Sequence, residues 1–267
     1  MPESASTEQY LNKSLDKALL VLDLFDHDQE ALTVTEVARR MNTQPGTIYP
    51  TLCTLVKHNY LDKGSSKKYR LGLRFLEKSS YLLSRMDLLE AAKPVLKELA
   101  ERLECNSHIA ILYDQEVMYL HREEGYPSVT LTGIIGRKAP AHCTALGKVL
   151  LSGLEESDLD CYLETRELTR KTQNTITNPE QLREELALVC EQGYAIDDEE
   201  FTEGNFCIAC PVRNFEGDIV ASESISMQKS RRTRCDREYL VENVCDASRK
   251  TSEKIGFHGK DRISRKT

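Results

Sequence analysis

The chain has 267 residues, 40% of them apolar and 30% charged, with a net charge of −7. That is enough for two modest domains with real cores, in a soluble composition. No run of eighteen apolar residues exists, which excludes a membrane-spanning helix, and the opening MPESASTEQYLNKS does not read as a signal peptide. Nine cysteines at irregular spacing are then expected as reduced thiols in the cytoplasm, not as a disulfide framework.

The charge is unevenly spread. Residues 34–74 carry Arg39, Arg40, Lys57, Lys63, Lys67, Lys68, Arg70 and Arg74 against Glu36 and Asp62, a net +6 that leaves −13 for the rest. A compact basic segment on an acidic protein is either a solvated face or the electrostatic footprint of a DNA-binding module.

From the front, Ser14 is placed to cap a helix with apolar residues at Leu15, Ala18, Leu19, Leu22 and Phe25. DHDQE breaks it. LTVTEVARRM predicts a second helix, with Thr35 as cap and Val37, Ala38 and Met41 inward, and NTQPG predicts a turn. A third helix buries Ile48, Leu52, Leu55 and Val56. Its proline, Pro50, is harmless if Thr47 caps the helix. If the helix starts near Pro45, Pro50 removes a hydrogen bond. YLDK, GSS and KKYRL then predict a small hairpin with outward lysines.

Three helices and a basic hairpin describe a winged helix-turn-helix, the third helix entering the major groove and the wing meeting phosphate. Thr47, Tyr49, Thr51 and Thr54 offer hydroxyls for double-stranded DNA, and Lys63, Lys67, Lys68 and Arg70 offer cations. A three-helix protein-interaction module is the plainer alternative.

LGLRFLEKSSYLLSRMDLLEAAKPVLKELAERL predicts helix with an interruption at Pro94. SHIAILYDQEVMYLHRE predicts a hairpin turning at Asp114-Gln115, and SVTLTGIIG a further strand. Thr144 is placed to cap a short helix in HCTALGKVLLSGL. Helices follow near 155–164 and 179–192, then a hairpin turning at NFEGD, a last helix near 235–255 and a loose basic tail. Mixed hairpins and helices make an α+β domain around an antiparallel sheet.

Thr144 at a helix start leaves the N–H groups of Ala145 and Leu146 as donors that favour an anion. Ser222, Ser224 and Ser226 share one strand face, which is either wet or turned to a polar ligand. Ile134, Leu131 and Ile208 are candidate apolar walls. In CIAC, Cys207 and Cys210 point to opposite faces if the segment is a strand, which reads as two small buried hydrophobes, with no metal site. His142 and Cys143 are adjacent and lack an orienting acid, so they make no nucleophile pair, and His142 reads as structural or a pocket-edge residue. In DDEE, Asp197 is the ligand candidate and the other acids face solvent or cap.

From about 13 to 257 the chain resembles the IclR family of bacterial transcriptional regulators. The resemblance is carried by SLDKALLVLDLF, LTVTEVARRM, KKYRLGLRFLE, PAHCTALGKVLLSGL, NTITNPEQL and GYAIDDEEFTEGNFCIACPV with GDIVASESIS. It implies a disordered N-terminus (1–12), a winged helix-turn-helix (13–75), a linker helix (76–92), a GAF-like effector-binding domain (93–257) and a flexible tail (258–267). It implies a homodimer or homotetramer that represses or activates catabolic genes at a DNA operator. It maps effector contacts onto the backbone of Ala145 and Leu146 and onto Asp197, Cys207, Ser224 and Ser226, for a small carboxylate-bearing metabolite. No cofactor, metal or membrane is expected, and no enzyme activity.

GTIYP departs from the family, whose recognition helices often read Ser-Thr-x-x-Arg. It is similar to the matching stretch of the PadR regulators, with nothing downstream to support that assignment. A rear domain that only mediates oligomerisation, or a cysteine- or metal-dependent hydrolase, are the competing functions.

Overall fold

The computed structural model describes residues 11–26, 29–64, 66–83, 87–125, 134–232 and 236–259. The expected disordered N-terminus up to residue 10, part of the DHDQE break, Leu131, most of the strand expected in SVTLTGIIG and the tail from residue 260 lie outside them. The chain divides into two compact units, Met1–Arg85 and Met86–Thr267.

In the first unit, helix α1 spans Lys13–Leu22. Asn12 caps it, not Ser14: the Asn12 side-chain oxygen accepts from the backbone N–H groups of Ser14 and Leu15, both at 3.1 Å. The inward face also differs from the expected stripe. Leu15 and Leu19 are exposed, whereas Val21 and Phe25 are buried. Leucines on several sides of this helix blur its apolar period. Helix α2 spans Val34–Arg40, capped by Thr33 and not Thr35. Thr33 and Glu36 form a reciprocal capping box, with the Thr33 N–H donating to Glu36 at 2.7 Å.

Helix α3 spans Pro45–Lys57, so Pro45 and Gly46 belong to it and not to the preceding turn. Gln44 stands at its N-cap position and Thr47 does not cap it. Pro50 is thus inside the helix, and the Gly46 carbonyl lacks the donor four residues on. The first turn is tightened: Thr47 N–H and Ile48 N–H both donate to Gln44 O, at 3.0 and 3.3 Å. Strands β1 (Leu61–Lys63) and β2 (Tyr69–Leu71) pair antiparallel, and Leu32 adds a bridge to Tyr69 that the sequence did not suggest. Ile48 and Leu52 close the core with Val21, Val37, Leu61 and Tyr69. Helix α4 spans Arg74–Leu83.

In the second unit, helix α5 spans Asp87–Leu103 and runs through Pro94 without the expected break. A proline removes one internal bond. Here Leu89, Ala92, Leu96 and Leu99 form a continuous buried face that holds the helix together. Among the described residues the sheet has six antiparallel strands: β3 (Asn106–Tyr113), β4 (Glu116–Glu124), β5 (Lys138–Pro140), β6 (Ala195–Asp198), β7 (Asn205–Arg213) and β8 (Ile219–Gln228), in the order β5-β4-β3-β8-β7-β6. The β3–β4 turn is at Asp114-Gln115, both with positive φ as a two-residue hairpin of this type requires. The expected β7–β8 turn at 214–218 is observed as well.

Helices α6 (Ala145–Ser152), α7 (Glu156–Thr165) and α8 (Pro179–Gln192) contribute to the core on one sheet face. A Cβ at Gly147 would sit 2.2 Å from the Ala141 carbonyl oxygen, so only glycine permits the approach of α6 to that loop. A short helix, α9 (Lys229–Arg232), follows β8, and α10 (Arg237–Lys254) packs with α5 on the other face. That packing includes a polar seam. Ser248 donates to Pro211 O at 2.7 Å, Arg213 N–H donates to Ser252 at 2.9 Å, and Thr251 donates to Glu223 at 2.7 Å. Burial raises the Glu223 carboxyl to about 7.

Among the described residues, the cysteines depart from expectation at one place. Cys210 of β7 and Cys245 of α10 form a disulfide, with Cα atoms 5.3 Å apart. Cys210 is therefore a cross-link and not merely a small hydrophobe. The pair is 35 residues apart in sequence, a distance over which spacing predicts nothing.

Candidate functional site

The first unit presents α3 and the β1–β2 wing. Thr47, Tyr49, Pro50, Cys53 and Thr54 are exposed along α3, and Thr51 is half-buried. Thr54 is already engaged, since its hydroxyl donates to Pro50 O at 2.9 Å. Tyr49 faces the wing: the Lys63 ammonium lies 5.8 Å from its ring centre and 5.4 Å from that of Tyr69. Lys67 and Lys68 are exposed, and Lys67 has a positive φ of 57°. Arg70 is exposed and within 3.9 Å of Asp62. The eight residues expected at DNA all lie in this helix and wing.

The second unit holds a small cavity of about 20 Å³ where the start of α6 meets the sheet. The register builds its floor. Asp197, Cys207, Ser226 and Asn106 form one row across β6, β7, β8 and β3. Ser224 and His108 form the next row on that face. All six expected effector residues, Ala145, Leu146, Asp197, Cys207, Ser224 and Ser226, line the cavity. Above them Thr144 caps α6, accepting from Gly147 N–H at 3.1 Å. The Ala145 and Leu146 N–H groups belong to the first turn and have no partner within the helix.

The polar groups are tightly organised. Asp197 accepts from Glu200 N–H at 2.7 Å and Phe201 N–H at 3.3 Å, which ties the loop after β6 to the cavity. Burial raises the Asp197 carboxyl to about 7, with the Glu200 charge adding to it. Ser226 donates to Asn205 at 3.1 Å, and Asn205 donates to the Cys207 sulfur at 3.2 Å. Burial pushes the Cys207 thiol far up, so it is uncharged. His108 is driven down to about 3, first by burial and then by Arg122 and His121, so its ring is neutral. It meets Tyr119 edge-on, with ring centres 5.7 Å apart.

Thr144, His108, Tyr119, Phe201 and Asn205 also line the cavity. The last four escaped the sequence reading. The polar residues of SHIAIL were visible, but nothing local shows that β3 pairs with β8 and brings His108 beside Ser224. Two of the three expected walls do not hold. Ile208 is on the opposite face, in the core under α10, and Ile134 does not line the cavity. Ser222 donates to Cys210 O at 3.3 Å and lies outside the cavity. His142 is structural, with its ring nitrogen 3.1 Å from Thr169 O. Glu200 is not a solvated acid or a cap: the buried Lys148 ammonium donates to it at 2.6 Å and to Glu185 at 2.8 Å. Asp198 and Glu199 both pair with Lys229. Among the described residues, no group of three or more His, Cys, Asp or Glu could hold a metal ion, and no helix is long and apolar enough to cross a membrane.

Comparison with known proteins agrees with this architecture. The IclR helix-turn-helix domain matches residues 14–64, and the family described as "Bacterial transcriptional regulator IclR C-terminal" matches residues 80–253. The regulator XynR of Escherichia coli is 34% identical over 246 residues, covering 92% of this chain and 98% of XynR. KdgR of Escherichia coli is 32% identical, covering 93% of this chain and 97% of KdgR. An IclR homologue from Microbacterium hydrocarbonoxydans, solved in complex with 4-hydroxybenzoate, superposes with a TM-score of 0.81 at 25% identity, covering 91% of this chain and 98% of its own. These relatives are transcriptional regulators, not enzymes. The chain belongs to the IclR family of bacterial transcriptional regulators, with a helix-turn-helix domain followed by the family's C-terminal domain.

Proposed function

We propose that this regulator binds a DNA operator through α3 and the β1–β2 wing, under control of a small carboxylate-bearing metabolite held in the cavity of the second unit. The observation that carries the reading is the convergence of the first-turn N–H groups of Ala145 and Leu146 and of polar side chains on one small pocket. Two backbone donors at a helix start suit a carboxylate. Ser224, Ser226, Asn205 and the neutral His108 supply hydrogen bonds for a polar remainder, and Tyr119 and Phe201 supply ring faces. The relative that binds 4-hydroxybenzoate supports a carboxylate as the effector class.

A cavity of about 20 Å³ has room for a water but not for an organic acid. Effector binding therefore opens it, and Phe201, half-buried on the loop after β6, is the side chain whose movement does so. For regulation, the effector must bind the DNA-competent and DNA-incompetent states unequally. Residues 73–92 are the proposed coupling element, and a cytoplasmic homodimer or homotetramer the proposed assembly.

The test is calorimetry of the full chain against 2-oxo acids, aromatic acids and sugar acids, with DNA affinity measured on a duplex selected from a random pool. One acid is expected to bind and to shift DNA affinity. A panel in which none binds and none changes DNA affinity would leave the C-terminal domain as an oligomerisation module.

A further inference from the structure

Three cysteines of the second unit line one place that the regulatory reading does not use. A surface cleft of about 450 Å³ is lined by both cysteines of the disulfide, Cys210 and Cys245, and by a third cysteine, Cys190 of α8. The two disulfide sulfurs are not equally placed. Cys210 is 1% exposed, within the core under α10. Cys245 is half-buried. Glu191, Arg213 and Arg249 stand on the same cleft, with Arg249 paired to Asp246 and Glu253. The effector cavity is on the other sheet face, where Cys207 points, so the two sites do not compete for space.

A DNA-binding regulator works in the compartment of the DNA. There, small thiols keep cysteines reduced, and the disulfides that do form are mostly transient, catalytic or redox-sensing. A disulfide with one sulfur on an open cleft fits that class, because exchange requires an attacking thiolate to reach a sulfur.

We propose that this cleft is a thiol–disulfide exchange site, at which a low-molecular-weight thiol opens and closes the Cys210–Cys245 bond by reaction at Cys245. The incoming thiolate attacks the Cys245 sulfur. A new sulfur–sulfur bond forms, the Cys210–Cys245 bond breaks, and the electron pair leaves on Cys210, which takes up a proton. A second thiolate attacks the mixed disulfide, releases the small disulfide and leaves Cys245 as a thiol. Two small thiols become one small disulfide, and the protein disulfide becomes two thiols. The reverse sequence, started by the small disulfide, restores the cross-link. The bond joins α10 to β7, the strand that carries Cys207 into the effector cavity, so its state alters the support of that strand.

The experiment uses the full chain in glutathione buffers of graded reduced-to-oxidised ratio, followed by rapid alkylation and peptide mapping by mass spectrometry. In the wild-type chain the peptide pair joining Cys210 to Cys245 is expected in oxidised buffer, is lost in reduced buffer, and returns on reversal. In Cys210→Ala, glutathione is expected on Cys245. In Cys245→Ala, the buried Cys210 is expected to remain unmodified. Absence of the cross-linked pair from oxidised wild type, its persistence in reduced buffer, or glutathione on Cys210 in preference to Cys245 would each overturn the proposal. The first two readings need no variant, so a variant that fails to fold does not shield it.

Discussion

The Lys148 ammonium donates to the Glu200 carboxylate at 2.6 Å, and both side chains are buried. Burial works against the lysine charge, but Glu200 and Glu185 outweigh it and hold Lys148 above the usual lysine range. Glu200 also gives its backbone N–H to Asp197. One ion pair therefore anchors the loop that closes over the cavity.

Removing Lys148 leaves the buried Glu200 carboxylate without its ammonium partner and Glu185 without its own. Lys148→Met is expected to destabilise the second unit by about 3–5 kcal/mol. Lys148→Met with Glu200→Gln should recover a large part of that loss. Urea unfolding of the single and double variants checks this, and equal losses in both would show that packing, not charge, is at stake.

Asp197 makes stability depend on pH. Its carboxyl stands near 7 in the folded chain against 3.8 in the absence of burial. Between these values the folded state holds a proton that the unfolded state has released. The contribution is therefore fully present below about 4 and is lost as the pH rises through 7. The shift corresponds to about 4 kcal/mol, and Glu223 titrates in the same direction. Asp197→Asn is expected to flatten the decline in stability between pH 4 and 7, keep basal DNA binding, and blunt the effector response. Denaturant melts across that range and DNA titrations with and without effector supply the readings. Loss of basal DNA binding would make Asp197 a structural residue only.

The wing residues should act on all DNA alike. Lys67→Ala or Lys68→Ala is expected to weaken binding to every duplex and to lower the salt slope by about 0.9 per lost phosphate contact. Tyr49→Ala should instead change the preferred sequence, since Tyr49 is exposed on α3. Fluorescence anisotropy at several salt concentrations separates the two. A Lys67 loss confined to one sequence would contradict a phosphate role.

Pro50 lies inside α3 and is exposed. Pro50→Ala returns an N–H to the Gly46 carbonyl and removes the ring. It is expected to stabilise the first unit, by up to about 3 kcal/mol. Thermal unfolding would show a rise in midpoint, and a fall would mean that the proline ring makes packing contacts worth more than the bond.

Reducing the Cys210–Cys245 bond frees a loop of 35 residues. Chain-entropy arguments give a loss of roughly 4 kcal/mol. Unfolding of the full chain with and without reductant measures it.

Local features were legible in the sequence and distant ones were not. The Asp114-Gln115 hairpin, the Thr144 cap and the alternation that puts Ser224 and Ser226 on one face depend on a few neighbouring residues. They are present in the structure. The pairing of β3 with β8, the Lys148–Glu200 contact across 52 residues and the disulfide all join distant segments. Nothing in a local period marks such partners. The caps of α1 and α2 were each misplaced by two residues because several polar side chains near each start can accept, and only backbone geometry selects one.

The small size of the cavity beneath α6 has a consequence in time. If the pocket holds a water and no more, an effector enters only when the loop carrying Phe201 lifts. At high effector concentration the observed association rate should then level off at the rate of opening. Departure waits on the same event, so a bound molecule stays long after its supply has fallen. The regulator would report the recent history of a metabolite and not its momentary concentration.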